Sequence, residues 1–349
     1  MKVGVVGCGY WGSKHARVLY GIPQVERVSA IDPRQERLLD LKRALPGLAT
    51  YQNLQEALDR VDALVIATPP RTHAALALTA MAAGKSVLVE KPLAMSTAEA
   101  LLMIEEAAAR SLTLMVGHTF EYNAAVWKLR ELVQSGELGR IYYMDSARLN
   151  LGLYQHDVNV IWDLAPHDIS IYNYVLGSSP FSVEAWGSRH GYQHLEDVAY
   201  LRLLYANPDV TANIHVSWLD PCKVRRTTVV GSAKMAVYND LVSNERIRVF
   251  DKGVIPPGNG ANLQDYPMSY RYGDIRSPYV AFDEPLYVQD HEFVSCVLTG
   301  RQPQTHGYNG LEVTRALEGA ERSLQTGGPV ELDRIARPDS REPKLAAIP

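Results

Sequence analysis

Cysteine is scarce in this chain: Cys8, Cys222 and Cys296 are its only three among 349 residues. They form no C-x-x-C pair and no even set, which excludes a disulfide framework and a cysteine-built zinc site. A reduced, cytoplasmic setting is therefore expected. No apolar run is long enough to cross a bilayer, and Met1-Lys2-Val3 leads straight into a strand pattern without a secretory signal, so no membrane partner is expected. The formal net charge is −4 and the ten histidines are scattered, with no basic stripe to hold nucleic acid. His156-Asp157 and His167-Asp168 look like ligand pairs, yet no H-E-x-x-H or comparable cluster completes them, and no metal is expected. The chain has no internal repeat and no low-complexity tract.

What remains is the composition of a soluble globular enzyme, 46% hydrophobic and 21% charged. The length exceeds what one core usually serves, and the pattern divides in two: a domain over residues 1–119 and a second over 120–349, whose closing helices have room to pack back on the first. Early on, short apolar runs at 3–6, 28–31, 63–67, 86–89 and 112–116 alternate with amphipathic helical stretches. That alternation predicts a parallel, doubly wound α/β sheet. Past Thr119 the pattern changes. A helix near 122–135 leads into an extended run at 141–149 and a second helix over 163–176. Strands rich in Val, Thr and Tyr then follow one another from 181 to 250, predicting an α+β domain with a large, mostly antiparallel open sheet. Residues 255–283, dense in Pro, Gly, Asn and Tyr, read as a long irregular loop, and two helices close the chain.

Gly7-Cys8-Gly9-Tyr10-Trp11-Gly12 is a G-x-G-x-x-G motif directly after a strand and opening a helix. Gly7 permits the tight turn, Gly9 lets backbone approach a pyrophosphate, Gly12 allows close packing, and the helix N-terminus offers N–H groups to phosphate. Asp32 stands twenty residues on, at the end of the second strand, where a carboxylate receives ribose hydroxyls and repels a 2′-phosphate. Asp32-Pro33-Arg34-Gln35 is equally a helix start with Asp as N-cap, and the two roles are compatible. The expected cofactor is NAD; Arg34 lies close enough to keep NADP as the lesser alternative. Thr68, Pro69 and His73 follow the fourth strand and should border the same crevice, although a plain helix-initiating turn would look alike. Glu90-Lys91-Pro92 ends the fifth strand. There the pre-proline position restrains the Lys91 backbone, and the alternative is an exposed ion pair in a loop.

Together the glycine motif, Thr68-Pro69-Pro70, His73, Glu90-Lys91-Pro92 and Asp163-Leu164-Ala165-Pro166-His167-Asp168 resemble the glucose–fructose oxidoreductase / inositol dehydrogenase / rhizopine-catabolism (Gfo/Idh/MocA) family over nearly the whole chain. The resemblance implies a nicotinamide cofactor and a Lys91–Asp163–His167 catalytic group. The chemistry is consistent with it. Oxidising a secondary alcohol needs a base for the hydroxyl proton, a role suited to an imidazole whose ordinary pKa is about 6.5. Asp163, four residues before His167, shares its face if that turn is helical, although Pro166 reads as marking a first turn, where the helix N-terminus would favour a neutral imidazole. Lys91 would stabilise developing alkoxide charge. A capping Asp163 and a packed His167 are the bland alternative.

The full cofactor set expected is Gly7, Gly9, Tyr10, Trp11, Gly12, Asp32, Arg34, Thr68, Pro69, His73, Glu90, Lys91 and Trp162. The substrate set is Lys91, Tyr122, Arg148, Asn150, Asn159 and His167. The segments at 146–152 and 155–162 are similar to the branch acting at C3 of UDP-linked N-acetylglucosamine uronic acids. Arg148 would then clamp the substrate's anionic group, unless it merely pairs with Asp145 or Glu184. Tyr266, Tyr270, Tyr272 and Tyr279 would lie over a nucleotide or serve an oligomer. A free-polyol or inositol dehydrogenase and a catalytically silent dinucleotide sensor are the other readings. A large open sheet rich in Val, Thr and Tyr suggests a homodimer or homotetramer through the C-terminal sheet.

Overall fold

The computed structural model describes residues 1–191, 194–255 and 268–335. In chain order the first stretch holds β1 (Lys2–Val6), α1 (Tyr10–Tyr20), β2 (Arg27–Ile31), α2 (Gln35–Ala44), β3 (Ala49–Tyr51), α3 (Leu54–Leu58), β4 (Ala63–Ile66), α4 (His73–Ala82), β5 (Ser86–Glu90), α5 (Thr97–Ala109) and β6 (Leu114–Gly117). Next come α6 (Ala124–Gln134), β7 (Ile141–Leu149), α7 (Val160–Leu176), β8 (Ser182–Ser188), β9 (Val198–Ala206), β10 (Asp209–Ser217), β11 (Val224–Gly231), β12 (Met235–Asn239), β13 (Ile247–Ile255) and β14 (Ser269–Arg276). The last elements are α8 (Pro285–Thr299), α9 (Gly307–Thr326) and β15 (Val330–Glu331). Among the described residues no helix is long and apolar enough to cross a membrane.

The chain forms two compact units. The first comprises Met1–Tyr122 and Asp283–Glu318, with residues 334 and 335, and the second lies within Asn123–Phe282 and Gly319–Asp333. The division thus comes at 122/123 where the sequence pattern suggested 119/120, and α8 with the larger part of α9 joins the first unit.

In the first unit six strands run parallel in the order β3-β2-β1-β4-β5-β6. Val3, Val5, Ala63, Val65 and Leu88 fill one side with Phe293 and Val294 of α8. Val6, Leu64, Ile66, Val87 and Val89 fill the other with Leu311 of α9. Burial on both faces explains why these strands read as unbroken apolar runs. The strand order reverses between β1 and β4, and ligands of such sheets bind outside the carboxyl ends at that crevice. The connections after β1 and β4 are the Gly7–Gly12 turn and the Thr68-Pro69-Pro70 segment.

The second unit carries a nine-stranded sheet in the order β14-β13-β12-β11-β7-β10-β9-β8-β15. It is mixed: β7 and β10 pair in parallel and the other neighbours are antiparallel. Leu201, Leu203 and Tyr205 alternate with exposed Tyr200 and Arg202 along β9, the period-two pattern of a half-covered strand. Helix α7 packs on β7, β9 and β10, and α6 on β12 and β13. Trp186, Tyr200 and His215 stack side by side across β8, β9 and β10, with ring centroids 5.5 and 4.1 Å apart.

Two sequence expectations change here. The loop expected over 255–283 contains a strand, β14, paired antiparallel with β13 and carrying Tyr270 and Tyr272. Exposure on both faces left no alternation for the pattern to reveal. Residues 256–267, with Tyr266, lie outside those described. Helix α7 begins at Val160 rather than Asp163, because the Asn159 side chain caps it by accepting the N–H groups of Ile161 (3.1 Å) and Trp162 (3.3 Å). Pro166 consequently sits inside the helix, not in its first turn.

Candidate functional site

The glycine turn fits a pyrophosphate for steric reasons. Gly7 has φ +86°, and a Cβ on Gly12 would lie 1.7 Å from the Gly7 carbonyl oxygen. Helix α1 has Gly9 at its N-cap and no side chain capping it, which leaves its first N–H groups unclaimed by a cap. Tyr10 and Trp11 are exposed and meet edge to face at 5.4 Å. Asp32 is buried; its Oδ2 accepts the Cys8 N–H at 2.8 Å and its Oδ1 the Arg34 N–H at 2.9 Å. Burial alone would raise its pKa. The Arg34 and Cys8 N–H groups and the charges of Arg37 and Arg34 outweigh that and hold the carboxyl below its ordinary value. The cap expected at Asp32 is instead an Asx-type turn, and α2 begins one residue after Arg34. Arg37, missed in the sequence, places Nη1 3.5 Å from Asp32 Oδ2, beside the approach to Gly9. These residues fit a dinucleotide, which would set its pyrophosphate on the glycine turn and its ribose near Asp32.

Thr68 is half-buried and Pro69 exposed after β4. His73, expected against the cofactor, is fully buried and acts as a brace: its ring nitrogens lie 2.8 Å from the Pro92 carbonyl and 2.9 Å from that of Thr68. Burial lowers its pKa. His73 thus ties the turn after β4 to the turn after β5. Lys91 itself is half-buried, and the Lys91–Pro92 peptide bond is cis. Glu90, also expected on the cofactor, is buried beneath it; Oε2 accepts the Lys91 N–H at 3.0 Å and Oε1 lies 3.0 Å from His15 Nε2. The other ring nitrogen of His15 is 2.9 Å from Asp290 Oδ1 on α8. Neither partner was legible in the sequence, since Asp290 is two hundred residues from the strand it serves. Tyr122, expected on substrate, is buried with its hydroxyl 3.0 Å from Thr305 Oγ1, and supports the first unit's interior instead.

In the second unit, α7 presents Asp163 and His167 one turn apart on one face, both half-buried while Ala165, Pro166 and Asp168 are buried. Asp163 Oδ2 accepts the indole N–H of Trp218 at 2.9 Å. His167 lies two turns into the helix, so the N-terminal dipole expected to act on it falls on Asp163 instead. Three expected contacts are corrected. Arg148 is no anion clamp: its guanidinium is buried against Asp168, with Nε 2.7 Å from Oδ2 and Nη2 3.3 Å from Oδ1. The partner is Asp168 rather than Asp145 or Glu184. Asn159 is buried, spending its oxygen on the cap and its amide on Glu196 (3.2 Å) and Glu321 (2.9 Å). Trp162, expected on the cofactor, is buried with its indole N–H 3.3 Å from the same Glu321 carboxylate. Asn150 remains exposed just past β7.

Comparison with known proteins agrees with both halves. Residues 1–118 match the model of an oxidoreductase family with an NAD-binding Rossmann fold, and 126–237 match the GFO/IDH/MocA C-terminal domain. An inositol 2-dehydrogenase of Leifsonia xyli is 31% identical, with 97% of each chain covered. Among solved structures, UDP-N-acetylglucosamine 3-dehydrogenase GnnA of Acidithiobacillus ferrooxidans is 26% identical with a TM-score of 0.76, over 93% of this chain and 98% of its own. GenD2 from gentamicin A biosynthesis, solved with NAD, is also 26% identical, with a TM-score of 0.81 over 96% and 97%.

Proposed function

The chain belongs to the Gfo/Idh/MocA oxidoreductases, an NAD-binding enzyme family, and from that premise we propose that it interconverts a secondary alcohol and a ketone on a carbohydrate. The observation that carries the reading is the pair Asp163 and His167, half-buried on one helical face among buried neighbours. Bound NAD supplies the hydride acceptor, and its reduced form the donor. His167 takes the hydroxyl proton on a ring nitrogen and returns it in the reverse direction. Asp163, anchored by the Trp218 indole N–H, orients that imidazole. The Lys91 ammonium donates to the reacting oxygen and stabilises its charge as the carbonyl forms or is reduced. Lys91→Ala and His167→Ala should each lower turnover by about two to four orders of magnitude. Titration by NADH fluorescence should find cofactor affinity little changed. Near-normal turnover in both variants would sink the assignment.

The substrate class favoured is a nucleotide-linked sugar, supported by the likeness to GnnA and by exposed Asn150, whose amide suits hydroxyl or acetamido groups. A free polyol is the second reading, favoured by the loss of Arg148 as an anion clamp. A cofactor-reduction screen across UDP-sugars, UDP-uronates, inositol and glucose separates them. Turnover of inositol with no response to any UDP-sugar replaces the first with the second. The stacked ring face of β8–β10 supports self-association through the second unit's sheet, read by sedimentation.

A further inference from the structure

Beneath the Lys91 turn lies a charged cluster that the proposed chemistry does not use. His15 of α1 is fully buried, with one ring nitrogen 3.0 Å from Glu90 Oε1 and the other 2.9 and 3.0 Å from the two oxygens of Asp290. Burial raises the pKa of the Asp290 carboxyl and the charge of His15 opposes that rise; with both carboxylates ionised and so only accepting, the imidazole between them is satisfied when each ring nitrogen carries a proton. Burial alone would strip that proton; the Asp290 carboxylate and then Glu90 overcome it, pushing His15 up to about 10. The cluster is anchored further out. Asp290 Oδ1 accepts from Gln289 Nε2 at 3.4 Å, and Gln289 Oε1 accepts the Thr119 hydroxyl at 2.8 Å. A Cβ on Gly117 would come within 3.1 Å of the Glu90 carboxyl carbon, so glycine there leaves the carboxylate its seat.

A buried cation between two buried anions is poor value as a stabilising device, because desolvation offsets much of the attraction. Its arrangement makes sense in terms of what it touches. The outer oxygen of Glu90 holds the backbone N–H of Lys91, and the trio carries one negative charge in excess, in the field of the Lys91 ammonium. His118 and His73, the other histidines facing Glu90 and Lys91, have their pKa lowered by burial, His118 to about 4.

We propose that His15 is a positioning residue, an imidazolium clamped by Glu90 and Asp290 that fixes the Lys91 backbone and leaves a single buried negative charge beneath the Lys91 ammonium. The inference rests on the reading that Lys91 serves the reaction. His15→Gln leaves two carboxylates facing each other, so one takes a proton and the seat of Lys91 loosens. Turnover then falls about 10- to 100-fold, with the KM for NAD and NADH binding close to wild type. Asp290→Asn added to His15→Gln removes the competition for that proton and leaves Glu90 as the single ionised carboxylate under Lys91, and turnover recovers relative to the single variant. A merely structural role predicts the reverse, the double variant being at least as impaired as the single.

Selective ¹⁵N-histidine NMR on the unsubstituted enzyme needs no variant to fold. At about pH 8, above the ordinary value for histidine, one ring should be protonated on both nitrogens. A complete set of neutral rings at that pH overturns the proposal, as does a double variant worse than the single. Lys91→Ala is measured alongside. Should it keep full turnover, the reading of Lys91 falls; should it lose turnover while His15→Gln does not, only the clamp falls.

Discussion

At the scale of single residues, charge is handled by burial and by what accepts or donates nearby. Asp32 was legible from its distance to the glycine motif, and its backbone N–H partners come from Cys8 inside the motif and Arg34 two residues on. Arg37 could not be singled out from the sequence, because only the turn of α2 brings position 37 to within 3.5 Å of position 32. With Arg34 and Arg37 flanking one carboxylate, Asp32→Ala should free two guanidinium groups to pair with a 2′-phosphate. The ratio of kcat/KM for NAD over NADP should then fall by about tenfold or more, an estimate set by one charged hydrogen-bonding interaction. An unchanged ratio would remove Asp32 from the discrimination.

At the scale of elements, most of the fold could be read from periodicity, and the exceptions have physical causes. β7 appears over the residues expected, and the first five apolar runs become β1, β2, β4, β5 and β6 within two residues at each end. β3 and α3, at three and five residues, are too short to carry a period. Helix α7 starts earlier than the sequence pattern suggests because Asn159, whose amide would suit a sugar equally well, caps it. The same displacement hid Arg148: once the helix starts at Val160, Asp168 is buried facing β7, and the guanidinium ties strand to helix. Of the proposed site, Lys91, Asp163 and His167 were legible through their motifs, whereas His15 and Asp290, proposed to seat Lys91, and Trp218, which donates to Asp163, carry no local signature. Arg148→Met should therefore act on stability, costing about 3–5 kcal/mol by leaving the Asp168 carboxylate buried and unpaired. Denaturant unfolding checks this, and Arg148→Met/Asp168→Leu should recover much of the loss. An undiminished midpoint together with a raised KM for a UDP-uronate would restore the substrate clamp.

At the scale of the whole molecule, the buried histidines set opposite limits on pH. His15, at about 10 when folded against an ordinary 6.5, contributes stability that is full below pH 6.5 and is lost as pH rises from there towards 10. His118, lowered to about 4, works the other way: its contribution is full above 6.5 and drains as pH falls towards 4. Unfolding free energy should thus be greatest near pH 6.5 and decline on both sides, with His15→Gln flattening the alkaline limb. An alkaline limb unaltered in that variant contradicts the assignment. The division of the chain has a further consequence, for synthesis. The parallel sheet is complete by Gly117, but Phe293 and Val294 complete one of its hydrophobic layers and Leu311 the other. A ribosome therefore releases all six of its strands, then the whole nine-stranded sheet except β15, before the residues that cover the first unit emerge. The nascent Rossmann sheet must wait with apolar surface bare through the translation of more than a hundred and fifty residues, the interval in which a holding chaperone would find it.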